Sequence, residues 1–198
     1  MKRKKTDILL AGVGGQGIIS IAAVIAYAAL KKGLHIKQSE VHGMSQRGGA
    51  VQSHLRISDD IIYSDLLSEG NTDLLLSVEP LEAVRYLPYL SSTGRIVTAV
   101  NPFVNIDDYP PMEIIEQQLA MRGRCVFVDA AALAKQAGNP KTTNMVMLGA
   151  ASFFTGIEAE LFKDAIHEIF AERGQQTIDM NINAFQLGNE FAAASGRL

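Results

Sequence analysis

Short apolar runs alternate with longer Ala- and Ile-rich segments along the first part of the chain. Residues 8–11 form an apolar run that ends at Gly12, a pattern typical of a buried parallel strand. Residues 18–32 are rich in Ala and Ile, and two lysines followed by Gly33 supply the cations and the glycine that end many helices. Residues 35–41 indicate a second strand. This order predicts a β-turn-α-β unit with a right-handed crossover and two parallel strands.

Residues 50–57 alternate between two sets of side chains, which predicts a strand with two different faces. Residues 58–60 indicate a turn, after which residues 61–63 can pair back as a hairpin. One predicted face carries Val51, Ser53, Leu55 and Ile57, and the other carries Gln52, His54 and Arg56.

The rest of the chain predicts three more strands and a helical end. Pro80 suits the first turn of a helix that runs to residue 90. Residues 101–111 contain three prolines and are expected to form an irregular surface excursion or a partner contact. Strands are predicted at residues 73–78, 95–100 and 125–128, and helices at 130–137, 144–154, 158–173 and 180–194. We therefore predict one α/β domain over residues 1–198, with a mixed, mainly parallel sheet and a helical C-terminal third.

The composition is that of a soluble globular protein, with 47% hydrophobic and 20% charged residues. The net charge is −3, but residues 2–5 are all cationic. The remaining chain has 14 basic and 21 acidic residues and is near −7, which argues against a nucleic-acid surface. No apolar run reaches the roughly 18 residues of a membrane span, and no cleavage-type leader follows the basic start. We therefore expect a cytoplasmic protein without a membrane segment.

Cys125 is the only cysteine, so the chain by itself can form neither a disulfide nor a thiolate-ligated cluster. It lies in a predicted strand, where we expect a small core residue. The four histidines do not have the spacing of metal ligands, so no metal site is predicted. The sequence lacks the G-x-S-x-G elbow of many hydrolases, and no G-K-[ST] follows the first glycines as in a Walker A loop.

The first predicted strand and helix are joined by the glycine-rich turn Gly12-Val13-Gly14-Gly15-Gln16-Gly17. Glycine lets a ligand approach the backbone amides, and a helix N-terminus favours an anion. The turn matches G-x-G-x-x-G, and Glu40 stands roughly where a dinucleotide site has its ribose-binding acid. A second glycine loop follows Glu40 at once, where a dinucleotide fold has a crossover helix. A nicotinamide or flavin site, a structural turn and a site for another anion or partner all stay open.

The second glycine loop is Glu40-Val41-His42-Gly43-Met44-Ser45-Gln46-Arg47-Gly48-Gly49. Both loops follow parallel strands, so we expect them at one edge of the sheet as two walls of one crevice. Arg47 can fork onto a carboxylate or phosphate, and Ser45 can donate a hydrogen bond. His42 can transfer a proton with Glu40 orienting it. A structural histidine and an Arg47–Glu40 ion pair are the alternatives, but the cluster as a whole favours function. The candidate ligand or interface residues are Gly14, Gly15, Gln16, Gly17, Glu40, His42, Ser45, Arg47, Gly48 and Gly49, with His42 as the candidate catalytic residue.

These motifs resemble the gamma subunits and domains of the 2-oxoacid:ferredoxin oxidoreductases. The resemblance rests on Gly14-Gly15-Gln16-Gly17 after a strand, on the loop from Glu40 to Gly49, and on the helix Asn144-Met145-Val146-Met147-Leu148-Gly149-Ala150. It covers nearly the whole chain. The run from His42 to Gly49 is its most specific part and is more similar to the small subunit of the indolepyruvate branch than to the pyruvate branch. The resemblance implies a three-layer α/β fold like the gamma domain of pyruvate:ferredoxin oxidoreductase.

The resemblance also implies a larger, cysteine-rich partner subunit that carries thiamine diphosphate and iron–sulfur clusters. Such a complex oxidatively decarboxylates a 2-oxoacid, transfers the acyl group to coenzyme A and passes electrons to ferredoxin. This chain would then be a non-redox subunit of a heteromer, binding no cofactor alone, inactive alone, and completing or covering the active site. Two other functions stay open: a stand-alone nucleotide-binding oxidoreductase, and a noncatalytic assembly module whose glycine loops only shape an interface.

Overall fold

The computed structural model describes residues 5–42 and 48–195, without the side chain of His42. Its centre is a six-stranded sheet in the order β2-β3-β1-β4-β5-β6. Strand β3 is antiparallel to both of its neighbours, whereas the other neighbouring pairs are parallel. This arrangement confirms the predicted mixed, mainly parallel sheet. The strands are β1 (Lys5–Val13), β2 (His35–His42), β3 (Ala50–Ser58), β4 (Thr72–Ser77), β5 (Leu90–Ala99) and β6 (Cys125–Val128).

Strands β1 and β2 run in the same direction, as predicted, but they are not neighbours. Strand β3 lies between them and pairs with both, so that Ala50 is opposite Val13 of β1 and Val51 is opposite His42 of β2. A third, antiparallel strand therefore lies between the two strands of the predicted β-turn-α-β unit. Strand β2 forms an edge of the sheet, and the second glycine loop connects it to β3.

Helices cover both faces of the sheet and give it the three layers that the resemblance implies. Helices α1, α4, α5, α6 and α7 pack on one face, and α2 and α3 pack on the other. Among the described residues no helix is long and apolar enough to cross a membrane. The helices are α1 (Ile18–Lys31), α2 (Pro80–Arg85), α3 (Met112–Ala120), α4 (Ala130–Gln136), α5 (Thr143–Ser152), α6 (Ala159–Ile169) and α7 (Gln175–Ser195), with short 3-10 turns at Leu87–Tyr89, Pro140–Thr142 and Ala171–Arg173.

The alternation of side chains along β1 shows how one strand supplies two cores. Ile8 and Leu10 are fully buried in the larger core, against α1 and the C-terminal helices. Leu9 and Ala11 are fully buried in the smaller core, against α2 and α3. Successive side chains of a strand point to opposite faces, so a continuous apolar run needs cover on both sides. The apolar run at residues 8–11 therefore indicated a buried strand correctly, and this strand is parallel to β4 but antiparallel to β3.

The predicted hairpin at residues 61–63 is wrong, because residues 59–71 contain neither strand nor helix. Two side chains of β3 hold this segment instead. Arg56 Nη1 donates to backbone carbonyl oxygens within it, at 3.1 and 3.4 Å. His54 Nδ1 accepts a hydrogen bond from the backbone N–H of Leu67 at 3.0 Å. Hydrogen bonds to these two β3 side chains therefore position the segment, and the segment adds no strand to the sheet.

Helix α3 was not predicted from the sequence. It follows Pro111 and buries only Ile115 and Leu119, which are too few apolar positions for a helical period to stand out. Four predicted boundaries also differ by more than three residues: the helix that begins at Pro80 ends at Arg85, β5 begins at Leu90, α6 ends at Ile169, and α7 begins at Gln175.

Candidate functional site at the glycine turns

The two glycine turns contact each other directly through their backbones. The N–H of Gly14 donates to the carbonyl oxygen of Gly49 at 2.8 Å, and the N–H of Gly48 donates to the carbonyl oxygen of Gly14 at 3.3 Å. These bonds continue the β1–β3 ladder beyond its last pair, Val13 with Ala50. The structure therefore brings Gly14, Gly48 and Gly49 together at the edge of the sheet where β1 and β2 end.

Gln16 closes the first turn with both its backbone and its side chain. Its N–H donates to the carbonyl oxygen of Val13 at 3.1 Å, and its Oε1 accepts from the N–H of Val13 at 2.9 Å. Gly15 and Gly17 have φ angles of 101° and 79°, in the left-handed region that glycine adopts without strain. Of the predicted ligand residues, Gln16 thus already has a structural partner within the turn.

Helix α1 begins directly after this turn, with Gly17 as its N-cap and no side-chain cap. The first N–H groups of a helix have no acceptor within the helix, and their partial positive charge favours an anion. Asn144 in the first turn of α5 packs against this end. A Cβ on Gly17 would lie 2.5 Å from Asn144 Nδ2. The left-handed backbone conformation favours glycine at this position, and any larger residue would displace the Asn144 side chain.

Only the two ends of the second motif lie within the described residues. Glu40 is on the edge strand β2 opposite Ser53 of β3, and the backbone of His42 ends β2. Ser45, Arg47 and the side chain of His42 lie outside the described residues. Their roles, and the orientation of His42 by Glu40, stay predictions.

The position of Glu40 departs from that of the ribose-binding acid in a dinucleotide fold. In that fold the acid ends the strand beside the first strand, whereas here β3 separates β2 from β1. At a strand spacing of about 4.8 Å, Glu40 is about 10 Å from β1 across the sheet. This strand order disfavours a nicotinamide or flavin site at the G-x-G-x-x-G turn.

Residues 101–111 connect β5 to α3 and contact the second glycine turn. Asn105 Nδ2 donates to the carbonyl oxygen of Gly48 at 2.6 Å. The ring of Phe103 also lies beside Gly48, since a Cβ on Gly48 would be 3.9 Å from Phe103 Cε1. The segment is irregular and on the surface, as predicted. Its contact with the glycine turn was not predicted.

Glu79 organises this region and was missed in the sequence. It follows β4 and is only 2% exposed. Its Oε2 accepts from the N–H of Glu82 at 2.8 Å, which caps α2, and its Oε1 accepts from the N–H of Phe103 at 3.3 Å and from the Tyr109 hydroxyl. Burial, and then the hydrogen bond to Glu79, raise the pKa of Tyr109 above its ordinary range. The available signal was an acid between a strand and Pro80, the proline that opens a helix.

Cys125 lies on β6, at the opposite edge of the sheet from β2. It packs against the smaller core but is only half-buried. Burial raises the pKa of its thiol to about 12, so the reactive thiolate is scarce at neutral pH. Over residues 5–42 and 48–195, no group of three or more His, Cys, Asp or Glu side chains could hold a metal ion.

Known proteins match this chain over nearly its full length. A family model described as pyruvate ferredoxin/flavodoxin oxidoreductase matches residues 7–191. Indolepyruvate oxidoreductase subunit IorB from Pyrococcus horikoshii is 38% identical over 197 residues, which cover 93% of this chain and 95% of that subunit. The subunit of the same name from Methanothermobacter thermautotrophicus is 38% identical over 198 residues, which cover 96% and 98%.

Solved structures share the fold. The pyruvate oxidoreductase subunit PORC from Thermotoga maritima superposes with a TM-score of 0.71 at 25% identity, over 94% of this chain and 96% of that chain. A 2-oxoglutarate:ferredoxin oxidoreductase from Magnetococcus marinus, solved with 2-oxoglutarate, coenzyme A and succinyl-CoA bound, superposes with a TM-score of 0.77 at 23% identity. That match covers 96% of this chain and 31% of the longer chain.

Proposed function

This chain belongs to the pyruvate ferredoxin/flavodoxin oxidoreductase family, and we propose that it is the small subunit of an indolepyruvate-type 2-oxoacid:ferredoxin oxidoreductase. The observation that carries the proposal is the match to IorB subunits at 38% identity, over 93% and 96% of this chain and 95% and 98% of theirs. A match of that extent relates whole subunits rather than one shared motif. It also supports a single gamma-type domain over residues 1–198.

The larger partner subunit is proposed to carry the thiamine diphosphate and the iron–sulfur clusters. Clusters of this kind take four ligands, mostly Cys thiolates. This sequence has one cysteine, and burial keeps its thiol protonated at neutral pH. The electrons therefore pass through the other chain. The heteromer is the catalyst, and this chain alone is inactive.

The proposed reaction couples decarboxylation to acyl transfer. The bond between C1 and C2 of the 2-oxoacid breaks and releases CO₂, and C2 forms a thioester with the sulfur of coenzyme A. Two electrons reduce two one-electron ferredoxins, and the thiol proton is released. Thiamine diphosphate on the partner supplies the stabilisation of the carbanion that decarboxylation requires. The proposed role of this chain is to bind and orient a charged group beside the thiamine diphosphate of the partner.

The glycine crevice is proposed to hold an anionic group at the subunit junction. In support, Gly48 and Gly49, which follow Arg47 in the sequence, contact Gly14 in the turn that precedes α1. A guanidinium and a helix N-terminus both favour a carboxylate or a phosphate. A coenzyme A phosphate, the substrate carboxylate and an acid of the partner subunit each have the required charge.

Replacing the guanidinium tests this role. We expect Arg47→Ala to raise the KM for coenzyme A or for the 2-oxoacid by about 10-fold or more, or to lower kcat, because a charge-assisted hydrogen bond is lost. The complex should still assemble. Steady-state assays of the anaerobic complex give both constants, and Arg122→Ala, at an exposed position in the turn after α3, is the matched control. Unchanged constants for both substrates would sink the proposal.

A further inference from the structure

The loop at residues 101–111, called here the docking loop, exposes three large apolar side chains. Phe103 is 44% exposed, Val104 is 68% exposed and Ile106 is 49% exposed. Single exposed apolar residues are ordinary on a protein surface, but a group of them in one short segment marks an interaction site. The loop contains no helix or strand that these side chains could help to form.

The docking loop is nevertheless held at four points, by one backbone N–H and three side chains. Asn101 Oδ1 accepts from the N–H of Ala131 at 3.2 Å, and Glu79 accepts from the N–H of Phe103 and from the Tyr109 hydroxyl. Asn105 bonds to Gly48, as described above. A loop that is ordered before binding loses less conformational entropy when a partner covers it. These hydrogen bonds therefore anchor the loop on both sides of its apolar side chains.

The charge of the docking loop indicates what kind of surface covers it. Asp107 and Asp108 are exposed beside the apolar residues, and no cation occurs in residues 101–111. In a two-fold dimer of this chain through the loop, the acids of both copies would face each other, which is unfavourable. A different chain that surrounds an apolar pocket with cations suits the loop better.

We propose that the docking loop is a preformed contact for the larger subunit, which seats Phe103, Val104 and Ile106 in an apolar pocket with a cationic rim. This inference rests on the proposed function, because the occupant is the larger subunit of that oxidoreductase. Asn105 is hydrogen bonded to Gly48, so a partner that binds the docking loop also lies beside the second glycine turn.

The test is the affinity of the purified chain for the purified larger subunit. Val104→Asp puts a charge at the most exposed apolar position of the loop, and we expect the dissociation constant to rise at least about 30-fold, as for an interface hot spot. Ile61→Asp is the matched control, since Ile61 is also β-branched, is 59% exposed and lies in the irregular segment 59–71. Circular dichroism of both variants checks that the fold is kept.

A second variant examines the rim. We expect Asp107→Asn with Asp108→Asn to slow association severalfold at low ionic strength and to have little effect at high salt, because rim charges act mainly on the association rate. If the wild-type chain does not bind the larger subunit, the proposed function fails. If it binds and Val104→Asp binds equally well, the docking loop is overturned. A wild-type dimer that Val104→Asp abolishes, with unchanged partner affinity, overturns the choice of occupant.

Discussion

His54 is buried on β3 with only one of its two ring nitrogens hydrogen bonded. Its Nδ1 accepts from the N–H of Leu67, whereas its Nε2 has no hydrogen-bond partner among the described residues. The ring packs edge-on against Tyr89 at 5.6 Å between centroids. Burial lowers the pKa of His54 below 6.5, and the charge of Asp65 opposes this shift only partly. The imidazole of His54 is therefore neutral in the folded protein at neutral pH.

A neutral buried histidine makes stability depend on pH in a predictable direction. The unfolded chain binds a proton at His54 near pH 6.5, but the folded chain binds it only at lower pH. The free energy of unfolding should therefore fall as pH drops from 6.5 to the folded pKa, by at most about 1.4 kcal/mol per pH unit, and level off below it. His54→Gln should remove this component in urea titrations between pH 5 and 7. His167→Gln on the exposed face of α6 is the control, and an unchanged slope in His54→Gln contradicts the expectation.

At the residue scale, the sequence predicted residue types better than residue roles. Gly14, Gly48 and Gly49 were expected at one site, and their backbones do contact each other. Gln16 was expected to face a ligand, but its side chain closes its own turn. Glu79 was not singled out at all, because its importance lies in donors from residues 24 and 30 positions away in the chain.

At the scale of elements, α5 and α7 cross at two glycines. A Cβ on Gly149 of α5 would lie 1.9 Å from the carbonyl oxygen of Phe185, and a Cβ on Gly188 of α7 would lie 2.0 Å from that of Val146. Both distances are far below a van der Waals contact. The two helices therefore pack backbone to backbone, and the larger core depends on both glycines.

We expect Gly188→Ala to lower the free energy of unfolding by about 2–4 kcal/mol, because the helices must separate to admit one methyl group. The higher helix propensity of alanine, worth about 1 kcal/mol, only partly offsets this loss. Ala194→Gly, at an exposed position of the same helix, is the control and should cost no more than about 1 kcal/mol. Denaturant titration of the isolated chain measures both variants. Wild-type stability in Gly188→Ala would contradict the backbone contact.

Elements with a strong local signal were predicted, and elements fixed by distant contacts were not. The apolar run at residues 8–11 and the Ala-rich segment before Gly33 correspond to β1 and α1. The segment at residues 59–71 looked like the return strand of a hairpin, but hydrogen bonds to β3 side chains hold it. The local sequence of residues 61–63 does not distinguish a hairpin strand from an irregular segment held by side chains of β3.

At the scale of the whole molecule, the proposed function predicts that this chain copurifies with a larger subunit. Anaerobic purification of the tagged chain from its own cells should recover a brown complex with a large thiamine-diphosphate protein, because the proposal assigns the clusters to the partner. Mass spectrometry and visible absorbance identify the bound material. The isolated chain produced without that partner is the control and should be colourless. A colourless, partner-free chain from cells that express the candidate partner would favour the stand-alone alternative.

The sequence by itself determined the class of the protein and the chemistry available to it. Apolar runs, glycine turns and the Ala-rich helices predicted the mixed α/β sheet, because these signals depend on neighbours within one turn or strand. The single cysteine excluded a cluster held by this chain alone. The loop from Glu40 to Gly49 carried the resemblance that full-length relatives then confirmed.

Only the tertiary structure decided which parts of the chain meet. The insertion of β3 between β1 and β2 moves Glu40 away from the first turn, and the burial of Glu79 joins the docking loop to α2. Strand order and buried hydrogen bonds depend on contacts between residues far apart in the chain, whose free energies balance over the whole fold and leave no local pattern. The sequence showed which residues were available for a site, whereas the fold decided which of them are close in space.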